Sequence, residues 1–436
     1  MSSDGANYAG SGSVLGPPTR NGHREQRFML SPRVAIESIG RTGVILFHPD
    51  HASRLKLTPC LYEIVRQFEG PTRLEDVLPE DARRESAKTC LRALITKGYL
   101  VDPDSEYESA GFERERVFTP TPYTLFRCPR AGMDEKASDV GVVGVPFDLG
   151  VASWAGARRA PEAIRERSND ADYRRDVATG LPRGWFDIQR RAHILAGVTF
   201  SDYGNIWFRH GEPLEAIHTR IGQGCRVLDD QGTFPLFLGG DHSIAYPIIR
   251  ALQTRGRLSV LYFDAHTDSD RFLEGTVPNA VNVGRAILSL PNVARLVQVG
   301  HRGYTLNNKL ETGTDRHRIV TAWDIREQGP EAVLAALPAD TPCYISVDIN
   351  CLDPAFAPGT CTPSPEGFSL GEFKRIARAV GESRHIVGLD VCEVNPEIDS
   401  GPTTTKSACH LIFAVLGAIE HQFAAPRNSG SRARSE

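Results

Sequence analysis

The stretch Leu258–Asp268, LSVLYFDAHTD, sets the strongest limit on what this 436-residue chain can fold into. From Leu258 to Phe263 it is apolar but for Ser259, with no polar alternation and with several β-branched and aromatic residues. That is the pattern of a strand covered on both faces within a parallel sheet. The apolar run stops at Asp264, and Asp264, His266 and Asp268 then follow at a spacing of two. On extended backbone that spacing sends all three side chains to one side of the strand's carboxyl end. Two carboxylates and an imidazole gathered there have the hard-donor chemistry of a divalent-cation site.

The same design recurs along the chain. FPLFLGGDHS is an apolar run, Phe234 to Leu238, then a glycine pair where the backbone must turn, then Asp241 and His242. CYISVDINCLDP ends a third run with Asp348 and Asn350 two apart, and IVGLDVCEVNP ends a fourth with Glu393. Strand and helix signals alternate from Asp139 to Glu420, including helices expected from near Pro161 and over Leu214–Leu228. This predicts an α/β domain with a mostly parallel sheet and helices on both faces. Ligands bind such sheets at the carboxyl edge, where these four polar strand ends would converge.

GGDHS, DAHTD, SVDxNxxDP and GLDVxEVNP, in that order, resemble the ureohydrolase family of arginases and agmatinases, and the resemblance runs from about Val140 to Gln422. DVGVVGVPFD and Gly156-Ala157-Arg158 are similar to the opening of agmatinases. The resemblance implies a three-layer arginase-like fold holding two manganese ions with a bridging hydroxide. It implies His242, Asp264, Asp268 and Asp348 as ligands of the first ion, and Asp264, His266, Asp348 and position 350 as ligands of the second. Hard oxygen donors with a minority of imidazoles suit manganese better than zinc. The implied reaction is attack of the hydroxide on a guanidinium carbon, collapsing to urea and an amine, with the Glu393 carboxylate pairing with the guanidinium. Trimers or hexamers are common in the family, which implies a homo-oligomer.

Three positions depart from the family pattern. Asn350 stands where the family has a second aspartate; its carbonyl can coordinate, but the missing charge weakens the second ion. Asn279 falls where the family has a proton-shuttling histidine, and Asn cannot titrate. A proton path then needs Asp268 through a water, or His301 in the VGHRG loop. Ser269 and Asp270 follow DAHTD where arginases place an asparagine that receives the free amino acid's carboxylate, and an aspartate there repels a carboxylate. Free arginine is therefore disfavoured, leaving an amine such as agmatine or an arginine within a peptide. Asn350 and Asn279 also keep open a catalytically altered scaffold that only binds peptide.

The amino-terminal part has another character. Residues 1–27 are rich in Ser, Gly and Asn and are expected to be a disordered tail, as are 426–436. Residues 28–104 read as a small α+β domain of winged-helix type: strands VAIES and GVILF, then helices over LYEIVRQF, Leu74–Val77 and Ala82–Lys97, then GYLV. Glu63, Glu69, Glu75, Asp76, Glu80, Asp81 and Glu85 offset its basic residues, and the whole chain carries a formal net charge of −4, which excludes nucleic acid as the expected partner. The segment resembles PqqD-like domains, and that resemblance implies recognition of a precursor peptide added as a strand to a sheet edge. Residues 105–138 read as a linker and 139–425 as the catalytic domain. No apolar run is long enough for a membrane span, no signal pattern opens the chain, and its nine cysteines form no short-spaced pair, so a reduced, cytoplasmic protein is expected.

Overall fold

The computed structural model describes residues 27–423 apart from 32–33, 41–42, 49–52, 98, 103–116, 132–137, 151–153, 209–211, 270–276 and 305–314. The terminal stretches expected to be tails lie outside the described residues, save Arg27, which opens the first strand. Two compact units divide the chain, one within residues 1–114 and the other from Glu115 onward.

In the first unit, β1 (Arg27–Leu30) lies between β5 (Thr72–Arg73) and β6 (Leu100–Val101), and β2 (Ala35–Gly40), β3 (Gly43–His48) and β4 (Ser53–Leu57) form a separate antiparallel sheet in that order. β4 was not expected, because its five residues run straight into the next helix without a turn signal. That helix, Pro59–Val65, starts where Thr58 Oγ1 accepts the Leu61 N–H, with proline in the first turn. Leu74–Val77, expected to be helical, makes only a single 3₁₀ turn at Leu74–Asp76. The helix Arg84–Thr96 buries Ala87, Leu91 and Leu94. These meet Leu46, Val65, Phe68 and Tyr99 in a core of the unit's own.

The second unit is built on a nine-stranded sheet. Its strands are β7 (Phe118–Thr119), β8 (Val140–Gly144), β11 (Phe200–Ile206), β12 (Phe234–Leu238), β13 (Leu258–Phe263), β14 (Val293–His301), β15 (His317–Thr321), β16 (Cys343–Asp348) and β17 (Ile386–Cys392). A hairpin of β9 (Trp185–Asp187) and β10 (Ala192–Ile194) stands apart from it. The order is β15-β14-β13-β16-β17-β12-β8-β11-β7, parallel throughout except where β7 meets β11. β7 comes from the stretch read as a linker, as do the fully buried Leu125 and Phe126, and a two-residue strand shows no period by which to find it.

β13 shows why its sequence lacks polar alternation. Leu261 and Phe263 enter a core packed by the helices Leu370–Ser383 and Thr403–Ala418. Leu258, Val260 and Tyr262 enter the opposite core, packed by Leu214–Asp230 and Ala245–Leu252. Both faces are covered, so both parities must be apolar. From β13 the chain runs outward through β14 and β15, and β16 returns to β13's other side. Loops leaving β13 and β16 therefore diverge and open a crevice at their carboxyl ends.

Candidate metal centre

The strands β13, β16, β17 and β12 are consecutive neighbours in the sheet, and all four parallel ends deliver polar groups to one edge. Three of the four, those after β12, β13 and β16, begin with a similar backbone device. Asp241 Oδ1 accepts the Ser243 N–H at 3.0 Å, Asp264 Oδ1 accepts that of His266 at 2.7 Å, and Asp348 Oδ1 accepts that of Asn350 at 2.6 Å. An aspartate bonded two residues ahead bends the chain without further help. For Asp264 and Asp348, one carboxylate oxygen is thus spent on the turn and the other faces inward.

These inward oxygens meet His242. Its Nδ1 lies 3.1 Å from Asp264 Oδ2 and 3.8 Å from both Asp268 Oδ2 and Asp348 Oδ2. A hard cation with ligand bonds of about 2.1 Å sets neighbouring donors about 3 Å apart, and one ligand atom each of His242, Asp264 and Asp268 already lies within 4.8 Å of the others. On the far side of the ring, Nε2 lies 2.9 Å from Ser346 Oγ, which donates to Asp390 Oδ1 at 2.9 Å. The serine proton goes to the carboxylate, so Nε2 must donate to the serine, and Nδ1 is the nitrogen left to bind. Tyr262 stacks on the imidazole, ring centroids 4.2 Å apart, and donates to Asp268 Oδ2 at 2.7 Å.

Electrostatics favours a positive charge at this spot. Burial, then the neighbouring Asp264 charge, pushes the carboxyls of Asp268 and Asp348 well above the usual range. Burial also pushes Asp264 upward, but the adjoining His242 and His266 outweigh it and hold the group below the usual range. Burial lowers His242, yet its hydrogen bond to Asp264 and the surrounding carboxylates raise it overall. Three converging carboxylates in an interior site are a cation's environment, and the donor set fits one hard divalent ion.

A carboxyl with a raised folded pKa stabilises the ion-free fold below that pKa, and the contribution is lost as pH rises from the ordinary carboxylate range through the raised value. A divalent ion displaces those protons and binds more tightly as pH rises. At a hundred times its Kd an ion adds about 2.7 kcal/mol. The difference in Tm between manganese-loaded and chelator-treated protein should therefore widen from pH 6 to pH 8, measured by differential scanning fluorimetry; a constant or shrinking difference would remove these two carboxylates from the ligand set.

The backbone is not extended through Asp268: β13 ends at Phe263 and Asp268 sits at φ +42°, so period-two alignment is not what brings it inward. His266 is partly exposed, its Nδ1 3.3 Å from Asp264 Oδ1. Asn350 turns its amide nitrogen, rather than its oxygen, toward His266 and Asp348. Glu393, at φ +63°, accepts the His242 N–H on Oε1 at 2.8 Å while its own N–H donates to Gly240 O. Gly240 cannot be replaced there, since a Cβ would lie 1.7 Å from Phe147 O. Burial, with Asp241 next, pushes the Glu393 carboxyl up to about 7. Asn279 sits in a turn beside Gly150 and leaves its side-chain oxygen without a hydrogen-bond partner. Burial drives His301 down to about 4, and neither ring nitrogen has a hydrogen-bond partner. Asp270 lies outside the described residues.

Ser346, Tyr262 and Asp390 were not singled out from the sequence. Spacing could have found two of them, since Tyr262 and Ser346 lie two residues before Asp264 and Asp348 on their strands.

The sequence model of the Arginase family matches residues 138–417. Over 306 residues the chain is 31% identical to a guanidinopropionase of Pseudomonas aeruginosa, covering 67% of this chain and 90% of that protein. Over 294 residues it is 33% identical to an agmatinase of Chromobacterium violaceum, covering 65% and 84%. Among solved structures it is similar to a hypothetical agmatinase from Burkholderia thailandensis, with TM-score 0.60 and 29% identity over 70% of this chain and 93% of that one. A proclavaminate amidino hydrolase from Streptomyces clavuligerus gives TM-score 0.58 and 30% identity, covering 68% and 97%.

Proposed function

The chain belongs to the arginase family, and on that premise we propose that it is a metal-dependent amidinohydrolase that cleaves a guanidino group to an amine and urea. The observation that carries this reading is the convergence of His242 Nδ1 with the inward oxygens of Asp264, Asp268 and Asp348 at one sheet edge, beside the buried carboxylate of Glu393. Their chemistry suits manganese, which when bound acidifies a water to a nucleophile near neutral pH.

The chain's own residues supply the rest. Ser346 and Asp390 fix the His242 tautomer, and Tyr262 holds Asp268. Glu393 is the guanidinium partner. A carboxyl that burial holds near 7 gains a great deal from a planar cation, which favours its ionised form and can present two N–H donors to it. Charge-assisted hydrogen bonds of this kind are worth about 1.5–3 kcal/mol, so Glu393→Gln should raise KM for a guanidino substrate by about 10- to 100-fold. Metal content should stay unchanged. A loss of metal with no change in KM would place Glu393 in the ligand set instead.

The substrate we favour is an arginine side chain within a peptide, which becomes ornithine. Two features support it: Asp270 would disfavour a free carboxylate, and the PqqD-like reading of residues 28–104 gives the chain a separate peptide grip. In the first unit β2 and β4 each pair only with β3 among the described residues, leaving sheet edges where an extended peptide can add. The second reading is a small guanidino compound, favoured by relatives named guanidinopropionase and agmatinase. Urea release from arginine, agmatine, 3-guanidinopropionate and an arginine-containing peptide, measured on the manganese-loaded full chain, separates the readings; release from none would end the hydrolase proposal.

A further inference from the structure

We propose that this chain builds a one-ion centre, in which the side-chain amide of Asn350 takes the place of a second cation. The inference rests on the amidinohydrolase reading only in taking the His242, Asp264, Asp268 and Asp348 position as metal-binding. Asn350 is almost wholly buried and every side-chain polar atom is engaged. Its Oδ1 accepts the Ala265 N–H at 2.9 Å. Its Nδ2 lies 2.8 Å from Asp348 Oδ2 and 3.1 Å from His266 Nδ1, with Thr362 Oγ1 further off at 3.4 Å. An amide NH₂ only donates, so at this spot it supplies partial positive charge to a carboxylate and an imidazole lone pair. Those two atoms, Asp348 Oδ2 and His266 Nδ1, are the donors a second ion would need.

The orientation is fixed by its neighbours. Turning the amide over would set Oδ1 against the Asp348 carboxylate oxygen and NH₂ against the Ala265 N–H, exchanging two attractions for two repulsions. An ion entering here would have to break the amide's bonds to Asp348 and His266, and leave Ala265 unpaired if it used the Asn350 oxygen. A buried N–H without an acceptor costs about 1–3 kcal/mol. The centre also has one carboxylate fewer than an aspartate at 350 would give it. The first position needs none of these atoms except Asp348 Oδ2.

Asn350→Asp reverses every term with no change of shape. One oxygen still accepts from Ala265, while the other becomes an anion facing Asp348 Oδ2, a contact only a cation relieves. The full chain and the variants Asn350→Asp, Asn350→Ala and His266→Ala should be loaded with manganese, desalted and assayed for metal per chain. Mn(II) electron paramagnetic resonance would be recorded alongside. Wild type should retain one ion with the resolved hyperfine pattern of an isolated centre, and His266→Ala should keep that ion. Asn350→Asp should take up a second ion at least about tenfold more tightly than wild type and show the pattern of an exchange-coupled pair, and Asn350→Ala should not gain one. Two ions held with comparable affinity by wild type would overturn the proposal while leaving the hydrolase reading intact, as would an Asn350→Asp chain that stays at one ion. A wild type that retains no ion would remove both.

Discussion

Asp264→Ala should leave the chain without a retained divalent ion and lower urea release by about three orders of magnitude or more. A metal ion contributes several kcal/mol of charge stabilisation, and each 1.4 kcal/mol or so is about a factor of ten in rate. Asp264 is also fully buried, accepts the His266 backbone N–H and lies 3.1 Å from His242 Nδ1, so alanine removes a turn as well as a charge. Asp264→Asn serves as the companion variant, because it keeps the acceptor and the volume. If both variants lose metal and activity while the asparagine variant keeps its fold by circular dichroism, the charge is what matters. Retained metal in both would show that the ion lies elsewhere.

Deleting residues 1–114 should raise the peptide concentration needed for half-maximal turnover by about a hundredfold and leave turnover of agmatine-sized compounds unchanged. Two weak sites on one chain raise the apparent affinity for a ligand that reaches both by about 10²- to 10⁴-fold. The remaining unit should fold by itself, because among the described residues its two apolar cores are built from residues after 114. The comparison to make is KM for an arginine peptide against KM for agmatine, in full-length and shortened chains. Equal KM values for the peptide in both would leave the first unit without a part in substrate binding and favour the small-molecule reading.

Much of this was legible in the sequence, for a specific physical reason. Strands covered on both faces leave uninterrupted apolar runs, so β12, β13 and β16 announced themselves, and the polar residues at their ends marked the sheet edge. What could not be read was relational. That β13, β16, β17 and β12 stand side by side depends on long-range pairing, and no local pattern encodes it. Asp268 was expected to point inward by alternation, yet a left-handed turn after an Asx bend carries it there. Asn350 was expected to offer its oxygen, but the Ala265 N–H, brought in from the neighbouring strand end, claims that atom. Composition hid β7 and β4 as well, one for its length and the other for want of a turn before the helix that follows.

The left-handed backbone at Asp268 and Glu393 has an energetic corollary. Side chains with a Cβ hold such conformations at a cost of order 1–3 kcal/mol each, and glycine would hold them with none. Glycine at 268 or 393 would relieve that strain but orphan the buried Tyr262 hydroxyl or the buried His242 N–H, a cost of about 1–3 kcal/mol that offsets the gain. Each of the two left-handed carboxylates thus does two jobs at once, satisfying a buried donor and facing the proposed metal site, and their backbone strain is carried by the two apolar layers of the sheet.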